Sequence, residues 1–146
     1  MSVNATLRNQ LRKNAELVAS VAQQQNGLIA KFDETGVRWL DGFIQTEHDR
    51  HKPDNHDGLM STLGAFLGEC IMATYGGDWE EMNDTICVRF DPRNVTFPFV
   101  RVLKHLQNGK DEAILPYFLN LPSIFVDRNG EGKADSFGSI EPEAGE

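Results

Sequence analysis

Cysteine is nearly absent. Cys70 and Cys87 are the two in 146 residues, and no C-x-x-C pair occurs, so the chain encodes neither a disulfide framework nor a zinc ribbon. Both fall in segments that read as buried, where a lone cysteine acts as a small apolar side chain. Bases are outnumbered, with 14 Lys and Arg against 22 Asp and Glu for a net charge of −8. Without a basic stripe, sequence-independent phosphate binding is disfavoured, and nucleic acid is not an expected partner. Nor is a membrane: no apolar run is long and uncharged enough for the roughly 20 residues of a helical span. The N-terminal MSVNATLRNQLRKN lacks the continuous apolar segment of a secretory signal, so the expected location is the cytoplasm. The Asn-x-Thr triplets at Asn4, Asn83 and Asn94 then carry no glycosylation meaning. Phosphate-cradling glycine loops and a serine nucleophile elbow are missing too, and nothing in the motifs argues for an enzyme.

The length is that of one domain able to bury a core without staples. Its longest nearly uncharged stretch is residues 60–79, MSTLGAFLGECIMATYGGDW. At 100° per residue, Leu63, Phe66, Leu67, Cys70 and Ile71 share a broad apolar face, beside a stripe of Ser61, Gly64, Ala65 and Gly68. A central helix buried on most sides is the expectation. Gly64 and Gly68 each cost about 1 kcal/mol against alanine in a helix, and their spacing predicts close approach of another backbone. Tyr75-Gly76-Gly77 closes the helix.

Around this element the chain reads in order. Residues 4–31 place Leu7, Leu11, Ala15, Val18 and Ala22 on one helical face, fraying near residues 23–27. Asp33 caps a second helix to about Arg50, with Val37, Leu40 and Ile44 on one side and Trp39 and Phe43 as an aromatic anchor. Residues 46–57, TEHDRHKPDNHD, form a frayed end and a loop, with Asn55 or Asp57 capping the central helix. Residues 78–82 and 85–90 pair as a hairpin across Asn83-Asp84, and residues 95–97 add a short strand. Pro98 opens a helix that stops at Asn108-Gly109. Asp111 caps a last helix through about Asn120, which Pro116 kinks or shortens. Residues 127–146 hold six acids and two bases, with too few apolar residues to stabilise their own ordering. The expected organisation is an α+β single domain over residues 1–126, mainly helical with a small antiparallel β-sheet, followed by a mobile acidic tail at 127–146.

The strings WLDGFI at 39–44, LGAFLGE at 63–69, YGGDW at 75–79 and FPFV at 97–100, with Val102, Lys104 and Asn108-Gly109, resemble a group of small uncharacterised bacterial proteins. That group is similar to the domain of unknown function 3806. The resemblance spans roughly residues 35–125. It implies a helical layer with a small sheet and a bacterial or phage origin, and it transfers no activity or catalytic residue.

Glu69 is the lone charge of the central helix. A carboxylate in an apolar pocket is a candidate general acid or base; against this, it sits on a narrow solvent stripe with Thr62 and Ala73, or accepts structural hydrogen bonds from backbone or Trp79. With Tyr75, Asp78 and Trp79 it makes the candidate ligand pocket. His48, His51 and His56, among Glu47, Asp49, Asp54 and Asp57, include an i, i+3 pair able to reach one Zn²⁺, although a solvated connection is the favoured reading. His105 reads as a surface or core-edge histidine. Asp127, Asn129, Glu131, Gly132 and Asp135 match part of a calcium loop whose final acid is replaced by Gly138, making calcium the lesser alternative to an acidic tail without cofactor. The leading functional expectation is a non-enzymatic acidic protein that binds a basic protein partner in the manner of an immunity protein or inhibitor. Its rival is an enzyme or small-ligand domain with a pocket near Glu69 and Trp79.

Overall fold

The structure, a computed structural model, describes residues 2–27, 31–50 and 56–125, for His56 and Asp57 the backbone only. Among these residues the fold is α+β: five α-helices and a three-stranded antiparallel sheet. Helix α1 spans Ala5–Asn26, with the Asn4 side chain accepting from the Leu7 N–H at its start. It does not fray at the glutamines but runs to Asn26, where Gly27 closes it in the left-handed conformation at φ 65°. The expected stripe is real, with Leu11, Ala15, Val18 and Ala22 all buried. Helix α2, Glu34–Asp49, starts where Asp33 accepts from the Gly36 N–H.

The central helix α3 spans His56–Tyr75. It begins earlier than the apolar pattern does, so Asp57 lies inside it and does not cap it, while Asn55 lies outside the described residues. From Leu63 to Ile71 every residue is buried. The two glycines do make room, but what enters is not backbone. A Cβ on Gly64 would lie 2.3 Å from Cδ1 of Phe99, and one on Gly68 would lie 2.0 Å from Cη2 of Trp79. The two rings face each other with centroids 5.8 Å apart. Glycine on α3 thus gives the sheet and the next helix two sockets for aromatic side chains, a packing return for lost helix propensity.

Strands β1 (Asp78–Met82) and β2 (Thr85–Asp91) pair antiparallel, with Trp79 opposite Val88. The two-residue turn holds Asn83 at φ 52° and Asp84 at φ 64°, both positive as a tight hairpin turn requires and as Asn and Asp tolerate. Strand β3, Asn94–Thr96, adds on the far side of β2. Ser2 bridges Glu80 and covers part of the outer edge of β1.

Helix α4, Pro98–Asn108, has proline at its first position as expected. The end of the described chain departs from expectation. Asp111 caps no helix: Gly109–Glu112 form a 3-10 turn, and α5 follows at Ile114–Ile124. Pro116 neither kinks nor shortens it, because it falls in the first turn, where a missing N–H costs nothing. Partners from elsewhere in the fold satisfy the free donors there. The Ile114 N–H donates to Nδ1 of His105 at 3.3 Å and the Leu115 N–H to Oδ1 of Asp41 at 3.0 Å. Proline matters at the other end, where Pro122 has no N–H to offer the Phe118 carbonyl one turn back. The Tyr75 hydroxyl supplies that hydrogen bond at 2.8 Å.

Candidate functional site

Of the four side chains expected to share a pocket, two meet. Glu69 is 9% exposed and Trp79 1% exposed. The indole N–H donates to Oε2 of Glu69 at 3.0 Å, and Nη1 of Arg12 reaches Oε1 at 3.3 Å. Both carboxylate oxygens therefore have donors. The arrangement fixes the indole in the Gly68 socket and ties α1, α3 and β1 together. The solvent-stripe reading of Glu69 fails on its burial, and the reading in which it receives the Trp79 N–H is the one observed.

Tyr75 and Asp78 turn elsewhere. The Tyr75 ring lies 5.3 Å from the Phe118 ring, and its hydroxyl is committed to α5. Burial pushes its pKa up, with the charge of Glu34 adding to the effect. Asp78 is exposed, pairs with Arg8 and accepts from its own chain at the Trp79 N–H. Sequence spacing set these groups side by side along the chain, but the helix end at Tyr75 and the start of the strand send them in different directions.

The remaining buried polar groups are also engaged. His105 is fully buried rather than at the surface or core edge. Its Nδ1 accepts the Ile114 N–H and its Nε2 lies 3.1 Å from Oε1 of Gln45, which fixes the neutral tautomer protonated on Nε2. Desolvation lowers its pKa, opposed by Asp41 and reinforced by His48. Cys70 and Cys87 are free and buried. Burial raises both thiols, Cys87 to about 11, so each is a packed side chain rather than a thiolate at neutral pH.

Among the described residues no group of three or more His, Cys, Asp or Glu is gathered to hold a metal ion. His48 lies in α2 with Nδ1 2.8 Å from the Leu106 carbonyl oxygen. His51 and Asp54, the side chains of His56 and Asp57, and the calcium-loop residues Asp127, Asn129, Glu131 and Asp135 lie outside the described residues. No described helix is long and apolar enough to cross a membrane.

Grooves open at two places among the described residues. One, of about 350 Å³, lies among α4, the 3-10 turn and α5, where Arg101 stacks over Tyr117 at 4.5 Å and reaches Glu112 at 3.3 Å. The other, of about 610 Å³, lies between the end of α1 and the outer side of α2. Trp39 and Phe43, expected only to anchor α2, line it as a stacked pair. Comparison of the chain with protein-family models, with curated proteins and with solved structures finds no match.

Proposed function

We propose that the protein works by binding a basic protein partner, as small bacterial immunity proteins and inhibitors do, and that it does so in the cytoplasm. The observation that carries this reading is where the negative charge is spent. In the described body, most carboxylates have a partner within the chain. Asp33, Asp41 and Asp91 accept backbone N–H groups. Glu16, Glu34, Glu47, Glu69, Asp78, Glu80 and Glu112 pair with arginines. The surplus is concentrated in residues 127–146, whose six acids and two bases supply half of the net charge of −8.

A contiguous excess of one sign speeds encounter with an oppositely charged partner and orients it. The engagement of Glu69, Tyr75 and His105 in structural hydrogen bonds also favours binding over catalysis. The bacterial setting is part of the proposal and rests on the resemblance of sequence strings alone. The test is capture from the native lysate at low and high salt, identification of the retained protein, and titration with that protein purified. The reading expects a partner with excess Lys and Arg, released as salt rises. A specific partner that is acidic or neutral, held equally at high salt, overturns it.

A further inference from the structure

Gly42 sits inside α2, where glycine costs about 1 kcal/mol relative to alanine. Other glycines in α2 and α3 repay that cost by contact: a Cβ at Gly36, Gly64 or Gly68 would strike a neighbouring atom at 2.3 Å or less. At Gly42 a Cβ would meet nothing within 4 Å. The notch opens into the 610 Å³ groove, a volume in the range of small-molecule sites. Beside it, the Trp39 and Phe43 rings stack at 5.3 Å, inclined by 24°. The indole N–H is held by Oδ1 of Asn26 at 2.8 Å, so the platform is oriented in advance.

Charge selects the ligand. In a chain of net charge −8, this lining carries two guanidinium groups, Arg38 and Arg50, against one carboxylate, Glu47. Their partners are replaceable. Arg38 pairs with Glu34 with both side chains at least half exposed, a pair worth at most about 1 kcal/mol, and the exposed Arg50 reaches the largely buried Glu47 at 3.3 Å. Arginine combines planar stacking with forked recognition of carboxylate or phosphate.

We propose that this groove binds a small planar aromatic anion, its ring against Trp39 and Phe43 across the Gly42 notch and its anionic group on Arg38 or Arg50. None of the residues lining the groove belongs to the acidic segment on which the proposed partner binding rests.

The test uses the full chain labelled with ¹⁵N and follows its two indole N–H signals. The probes are two aromatic anions of different shape, adenosine 5′-monophosphate and naphthalene-2-sulfonate, with adenosine and ribose 5-phosphate as single-feature controls. Both aromatic anions should move the Trp39 signal saturably and leave that of buried Trp79 in place. Each control should bind about tenfold more weakly than the nucleotide. Gly42→Leu should fill the notch and abolish the shift, whereas Gly42→Ala should fold at least as well as the native chain. Arg38→Gln with Arg50→Gln should weaken the nucleotide about tenfold and leave adenosine unchanged. The inference fails if neither aromatic anion moves Trp39, if Trp79 moves equally, or if adenosine and the nucleotide bind alike.

Discussion

Alanine at Gly68 and alanine at Gly42 are the same chemical change in two helices, and they should alter stability in opposite directions. At Gly68 the added methyl would lie 2.0 Å from Cη2 and 2.6 Å from Cζ2 of Trp79, whereas carbon atoms rest at about 3.5–4.0 Å. The indole must therefore move by about 1.5 Å. It is 1% exposed, packs on Phe99 and donates to Glu69 at 3.0 Å, so movement breaks a hydrogen bond as well as packing. Overpacking costs about 1–3 kcal/mol and a stranded buried acceptor about 1–3 more, against about 1 regained in helix propensity. Gly68→Ala should lose about 1–5 kcal/mol. Gly42→Ala, with nothing to strike, should gain about 0.5–1 kcal/mol from propensity alone. Urea unfolding followed by circular dichroism reads both, with slopes unchanged if only native stability has moved. The packing argument is refuted if Gly68→Ala is as stable as the native chain, or if Gly42→Ala is destabilised to the same degree.

Tyr75→Phe should cost about 1 kcal/mol by leaving the Phe118 carbonyl without its donor, and much less when Pro122→Ala restores a backbone N–H; a double-mutant cycle without coupling contradicts this. Glu69→Gln should destabilise by about 1–2 kcal/mol, since the amide turns an NH2 donor toward either the indole N–H or Arg12 where a carboxylate oxygen accepted, and urea melts showing no loss would argue against the double engagement. His105 has a folded pKa below its unfolded value of about 6.5, so the unfolded chain binds the extra proton. Its contribution is complete above about pH 6.5 and is lost as pH falls from there through the lowered folded pKa. Melts between about pH 7.5 and 4.5 should show that slope flattened in His105→Gln, and an unchanged slope would exclude His105 as its source.

Much of the fold was legible because its signals are local. The Asp33 cap, the alternation of residues 85–90, the turn at Asn83-Asp84 and the uncharged run about Phe66 each act within a few residues. What escaped depends on long-range contact. Asp41 caps a helix that begins more than seventy residues later, and no local pattern marks it. His105 looks like any histidine on an amphipathic helix until α5 lays its N-terminus against it. A helix read from Asp111 to about Asn120 puts the harmless Pro116 in its middle and stops short of Pro122, the proline that Tyr75 compensates. The Gly64 and Gly68 spacing signalled close approach of a backbone, whereas in the tertiary fold aromatic rings occupy the space. Trp39 and Phe43 carried an apolar signal that said nothing of the groove between them and the end of α1.

The account of function turns on charge in residues 127–146. Once the basic partner is in hand, its affinity is measured by calorimetry for the native chain and for a chain in which the six acids of that segment are replaced by their amides. The account predicts a loss of at least about tenfold, together with a flatter dependence on salt. Equal affinity and equal salt dependence for the two chains would contradict it.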